Sequence, residues 1–431
     1  MVIVVRTVGA CLIVCSLFAP SLRAGDGGTW RKIATEEQML RDPRQILTPG
    51  LFDQRRVVKV AFPSDGRPVD LPLPHEGNGA DGKPRPPLRG ALRQRTIWID
   101  LDGNGKPGGK EVSGVSKVGE TNLFSYPASY ADGTTGNYAF KLQATKTPGE
   151  FNILRHCARI ARIDKKQHTV VLIDDNGNGL YNDLGCDAIL IDQQPVTFLG
   201  RQIYLNDKLY ELLVHAGGTM IELRPMAQYQ AGSVDLFKAF EYPQKAQNLR
   251  IHTVIVQGKE CAFSFNPQQR VRPLPVGAYD MVFALFERST ERIYALSGEQ
   301  TSFQVAANQE TTVKWGGPIK MRFTIGSDGR NITVQPPSFV GSAGEKYMPT
   351  DWQKIPCRAT LSAIRRNPGR HMPEFRDVRS TLKFDFDKSG QLKPLDFEYR
   401  QNDVIIIGVT YKSGIMGTVY EEKRLNFVKA R

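Results

Sequence analysis

The residues best equipped for chemistry lie in VVLIDDNGNGLYNDLGCDAILID, residues 170–192, where two apolar runs flank a loop crowded with oxygen-bearing side chains. Asp174, Asn176 and Asn178 stand at alternate positions, Gly179 follows, and Asp183 and Asp187 come near the far end. A hard divalent cation such as calcium takes six to eight oxygens at about 2.3–2.6 Å, and a tightly curled loop turns alternate side chains inward to supply them. Gly179 permits the sharp turn, and the main-chain carbonyl of Leu180 fills the backbone position. An Asn178-Gly179 hairpin turn alone would also reverse the chain here. A bare hairpin, however, has no use for three carboxylates at one end, which repel one another and weaken the turn.

A second segment, WIDLDGNGKPGGKE, repeats the pattern. Asp100, Asp102, Asn104, Gly105 and Glu111 fall at the first, third, fifth, sixth and twelfth positions of a calcium loop. Both segments resemble EF-hand loops, and look like those of bacterial exported proteins in which strands replace the flanking helices. Each departs from the pattern. Gly185 occupies the twelfth position of the first loop, so Asp183 or Asp187 must close its shell. In the second, Pro107 sits where an apolar residue normally pins the loop, and Lys106 and Lys110 bring positive charge close. A third segment, FDFDKSGQLKPLD, puts Asp385, Asp387, Ser389, Gly390 and Asp396 at similar spacing, but strand alternation through Phe384 and Phe386 explains most of it. The expected cofactor is structural calcium; sensing needs a helix pair to open, and apolar strands flank these loops.

Recognisable catalytic patterns are missing. There is no G-x-S-x-G elbow, no P-loop and no H-E-x-x-H pair. The six histidines are widely spaced and read as surface or satisfied polar residues. The leading expectation is therefore a non-catalytic secreted or envelope-associated protein with a structural or ligand-binding role. The rival is a secreted hydrolase acting on polysaccharide through a carboxylate pair held across a cleft, which sequence does not reveal.

The elements that must position these loops read as mostly β, in several β-sandwich domains of immunoglobulin-like or transthyretin-like type with a short N-terminal helix. TIWID, YAFKLQ, ARIARI, TVVLID, DAILID and TMIELR are short runs rich in β-branched and aromatic residues, split by Asp-Gly and Asn-Gly steps. TEEQMLRDPRQIL reads as a helix capped by Thr35 and ended by Asp42-Pro43, and NDKLYELLVH as two helical turns. The expected organisation is a signal peptide (1–24), a helical arm (25–62), a Pro/Gly-rich linker (63–90) and a β domain with the calcium-type loops (91–215). A β-sandwich (216–330) and a C-terminal sandwich-like domain (331–431) follow. In residues 216–330, Pro275-Val276-Gly277-Ala278-Tyr279 leads into YDMVFALFE, and FQVAANQETTVKWGGP follows as a strand pair joined by a turn. This resembles transthyretin-like sandwiches of carboxypeptidase regulatory and related bacterial surface domains, which implies a fold and no active site. Asn331-Ile332-Thr333 is a chance glycosylation sequon.

The N-terminus places the protein outside the cytoplasm. VGACLIVCSLFA is an apolar run of secretory length, too short to span a bilayer, and Ala24 offers a cleavage point. Val8-Gly9-Ala10-Cys11 looks like a lipobox, but the apolar run continues past Cys11, which favours plain secretion. Without Arg6 and Arg23 the charge falls from +13 to +11, with 55 basic residues against 44 acidic. The basic residues are scattered, so specific nucleic-acid binding is not expected, while anionic polysaccharide or other envelope components are. Cys157, Cys186, Cys261 and Cys357 permit two disulfides, Cys157–Cys186 and Cys261–Cys357 being the expected pairing.

Overall fold

A computed structural model describes residues 29–39, 47–52, 57–74, 87–94, 96–101, 104–106, 112–114, 121–145, 147–164, 167–243, 248–327, 331–350, 357–365, 375–385, 392–398 and 404–426. The chain is mostly β, and its ladders are largely antiparallel; one helical turn, Pro49–Phe52, occurs among the described residues. CARIARI, HTVVLI and AILI are nearly continuous apolar runs because both their faces are covered, and Val171 stands opposite Ile160 on one side and Leu190 on the other.

These strands belong to an eight-stranded sheet. Its order is Thr197–Phe198, Ala188–Ile191, His168–Ile173, Cys157–Ile163, Arg31–Met39, Met220–Pro225, Lys208–Val214 and Gln202–Leu205. The N-terminal strand is its keystone: Thr35–Met39 pair with the strand Cys157–Ile163, while Arg31–Ala34 pair with Met220–Pro225. The two outermost strands are consecutive in sequence, so the sheet curls until residues 199–201 link its edges. Against it pack the strands Thr121–Ser129, Thr135–Ala144 and Glu150–Arg155, burying Tyr138, Phe140, Ile153, Leu172 and Ile221.

The structure corrects three expectations in this region. The helix starting at Thr35 is a strand through Met39, and residues 40–46 lie outside the described residues. Two waiting sheet edges offer this segment a ladder partner for its N–H and C=O groups on both sides, which outweighs its helical capping pattern. NDKLYELLVH is the turn and second strand of a hairpin, with Asn206 and Asp207 both at positive φ (48° and 59°), as a two-residue primed turn requires. In the expected linker, Leu71, Leu73 and Leu88 are buried in the core. Alternate prolines in LPLP lack an N–H to satisfy, so an extended stretch can send its leucines inward.

A second sheet runs Ala262–Phe265, Arg250–Gln257, Gly277–Arg288, Glu291–Leu296, Lys346–Pro349, Ser338–Val340 and Lys320–Arg322, with Ser302–Val305 paired to the start of Gly277–Arg288. Its ladder between Ile293–Leu296 and Lys346–Pro349 crosses residue 330. One core, including Phe286, Trp315, Tyr347 and Ile407, joins this sheet to the four-stranded sheet formed by residues 358–426. The strands of FQVAANQETTV do not pair with each other: Glu310–Thr312 runs parallel to Ala231–Asp235 in another sheet. No disulfide joins the four cysteines. The expected pairing fails because the thiols face other groups: Cys157 Sγ lies 3.0 Å from Tyr181 Oη, Cys261 donates to Tyr279 Oη and Cys357 to the Thr410 carbonyl.

Candidate metal loops

Ile173 pairs with Ala188 at the end of its ladder, so residues 174–187 leave and re-enter the sheet at one point. Asp174, the first residue out, is fully buried and organises the loop. One carboxylate oxygen accepts the N–H groups of Gly177 (2.7 Å) and Asn178 (3.2 Å); the other accepts Gly179 N–H (2.7 Å) and the Tyr138 hydroxyl (2.5 Å). Gly179 at φ +86° makes the curl possible, and a Cβ there would meet Pro74 Cδ at 2.3 Å. Asn176 and Asn178 accept the N–H two residues on through Oδ1, and both Nδ2 groups donate to Asp183 Oδ2. Asp187, also fully buried, accepts the N–H groups of Asp183 (2.8 Å) and Asp175 (3.3 Å). Leu180, expected to offer a carbonyl, sends its N–H to Asn178.

The structure therefore brings Asp174, Asn176, Asn178, Asp183 and Asp187 together. Burial pushes the Asp174 carboxyl up to about 6 and Asp187 well above the usual carboxylate range, with neighbouring carboxylates adding to both. As placed, their lone pairs face N–H and O–H donors. Among the described residues, no three His, Cys, Asp or Glu side chains are arranged to hold a metal ion.

Asp175 points to the opposite side, as alternate residues of an extended chain do. It forms a buried ion pair with Arg155 and accepts from Thr48 Oγ1 and Gly50 N–H, tying the segment 47–52 to the loop. Losing one member of such a pair typically costs about 3–5 kcal/mol. Sequence reasoning missed Tyr138, Arg155, Thr48 and Gly50; only the Asp174-Asp175 doublet hinted that two faces were in use.

The described residues of the second loop repeat two of these contacts. Asp100 accepts Gly105 N–H on Oδ2 at 3.1 Å, and Asn104 Oδ1 accepts Lys106 N–H at 2.7 Å, matching Asp174 with Gly179 and Asn178 with Leu180. Asp100 is only 7% exposed, and its Oδ1 has no hydrogen-bond partner among the described residues. Asp102 and Glu111 lie outside the described residues. In the third segment Asp396 pairs across a ladder with Thr333, whose hydroxyl donates to it at 2.6 Å, and Asp385 is exposed; Asp387, Ser389 and Gly390 lie outside the described residues.

Elsewhere, His168 and His215 each sit on a carboxylate, Asp192 (2.8 Å) and Glu222 (3.0 Å). Three open clefts of about 280, 330 and 500 Å³ carry one carboxylate apiece: Glu299, Asp280 and Glu421. No known protein family, curated protein or solved structure matches the chain.

Proposed function

We propose that this is a non-catalytic secreted or envelope-associated β scaffold, stiffened by structural calcium at the loops beginning with Asp174 and Asp100. The observation that carries this reading is a pair of contacts the two loops share: in each, the glycine five residues on donates its N–H to the leading aspartate, and the asparagine before that glycine accepts the N–H two residues ahead through Oδ1. In the loop that begins with Asp174 these contacts gather the side-chain oxygens of Asp174, Asn176, Asn178 and Asp183, as a calcium shell needs. The donor set suits a hard cation and no soft one, being carboxylate and carboxamide throughout. Asp100 Oδ1, which has no hydrogen-bond partner among the described residues, is a further reason, since a buried carboxylate oxygen is costly without a donor or cation. The loops gain stability rather than chemistry from the ion, and the net positive charge supports attachment to anionic envelope polymers.

Thermal melting of the purified protein in calcium and in chelator tests the proposal, with elemental analysis of the dialysed sample. Extracellular calcium modules bind at roughly 10⁻⁴–10⁻³ M. At a hundredfold excess over Kd the ion adds about 2.7 kcal/mol, which raises the midpoint by several degrees. An unmoved midpoint with no calcium retained removes the metal from the proposal.

A further inference from the structure

One face of the second sheet changes character across its width. Around Phe283, Leu285 and Tyr294 it is covered, by Phe198 of the first sheet and by Leu47 and Phe52. Met348 stands opposite Tyr294 and carries the same face onto the last three strands. There Tyr347, Phe339 and Met321 turn into the core, and Lys346, Lys320 and Arg322 are exposed on the other side. Lys320 lies opposite Val340 and Val340 opposite Lys346, so the two lysines point the same way. Arg322, two residues along the strand, points with them. Ser338, Val340 and Met348 complete this open face, which holds no carboxylate. None of the three cations forms an ion pair among the described residues.

Lys320 and Arg322 also line two open clefts. The one of about 280 Å³ holds Glu299, Gln300 and Ser342, and the one of about 500 Å³ holds Thr418 and Glu421. Cations on an edge strand also guard it against pairing with another chain. Lys346, however, lies two strands in from the edge, where there is nothing to guard.

We infer that this face binds an acidic polysaccharide, laid across the strand Lys320–Arg322 from one cleft to the other. The inference rests on the attachment to anionic polymers proposed above and gives it a place. The three cations meet the polymer's carboxylates, Arg322 with the planar fork that suits them. Glu299 and Glu421 accept its hydroxyl groups. This mixture selects a sugar acid over nucleic acid. A duplex presents a dense row of phosphates, which a carboxylate in each cleft repels, whereas a sugar acid brings hydroxyl donors for those carboxylates.

Biolayer interferometry of the purified protein on polygalacturonate, dextran and duplex DNA tests this, in chelator so that no calcium takes part. The wild type should bind polygalacturonate in a salt-sensitive way and leave dextran unbound. Lys320→Gln with Arg322→Gln and Lys346→Gln should weaken binding about tenfold or more, the combined worth of three exposed ion pairs. A control of equal charge loss replaces the exposed Arg201, Lys208 and Lys259 by Gln and should bind nearly as the parent does. Surface changes of this kind leave folding intact, which circular dichroism checks. Equal weakening in the two triple variants would mean that net charge alone is at work and overturns the inference, as would DNA bound as tightly as polygalacturonate. Binding that survives loss of the three cations removes this face and leaves the attachment. A wild type that binds no polygalacturonate removes both, while the calcium reading stands or falls on its own melting test.

Discussion

Asp174 sets two carboxylate oxygens against four donors, three of them main-chain, in a place without solvent, and this combination makes its titration readable. Its folded pKa of about 6 lies above the roughly 4 of an unfolded aspartate, so the native state holds a proton that the unfolded chain has lost. Metal-free stability from this group is therefore full below about pH 4 and is lost as pH rises through about 6. His156 and His252, held below the ordinary imidazole range by burial, work with the opposite sign towards neutrality. The quantity to measure is the difference between wild type and Asp174→Asn in urea unfolding from pH 4 to 7 in chelator. That difference should shrink as pH rises; a flat profile would show that Asp174 titrates as an ordinary carboxyl. At this scale the sequence was legible where spacing was local: alternate Asp and Asn residues followed by glycine announced the curl. Arg155 and Thr48 were illegible, because their partner Asp175 lies 20 and 127 residues away and nothing in their own neighbourhoods marks them.

Among the elements, the apolar runs were read correctly as strands because both faces of a covered strand demand β-branched residues whatever its neighbours are. Misreadings fell on segments whose local pattern suits a helix and whose surroundings supply a ladder. LYELLV has leucines at helical spacing, yet Asn206-Asp207 before it already held the answer, two residues tolerant of left-handed backbone. The turn should therefore be sensitive to side-chain type and not to charge. Asn206→Ala is expected to cost about 1 kcal/mol, the penalty of a Cβ in that conformation without asparagine's local bonding, whereas Asn206→Gly should be nearly neutral. Urea midpoints of the two variants check this. Equal losses would mean that the turn's identity comes from the asparagine side chain's own contacts.

For the whole molecule, domain borders were the least legible feature. Proline-rich composition suggested a linker where leucines enter the core, and no residue near 330 signals that a ladder closes over it. The strand Arg31–Met39 shows why such long-range pairing escapes local reading, since its partners lie at residues 157–163 and 220–225. Deleting residues 31–39 should leave two half-sheets with bare inner edges. Circular dichroism and sedimentation of the truncated protein should show lost cooperative melting and aggregation; a soluble protein melting like the parent would mean the halves stand alone. The same placement imposes an order of events on biosynthesis. In a chain emerging N-terminus first, one edge of this segment waits about 120 residues for its partner (Met39 to Cys157) and the other more than 180 (Ala34 to Met220), and only then is it held on both sides. Contacts of such long sequence separation make folding slow, so the nascent protein spends that interval with its hydrogen-bonding seam open and dependent on whatever shields it.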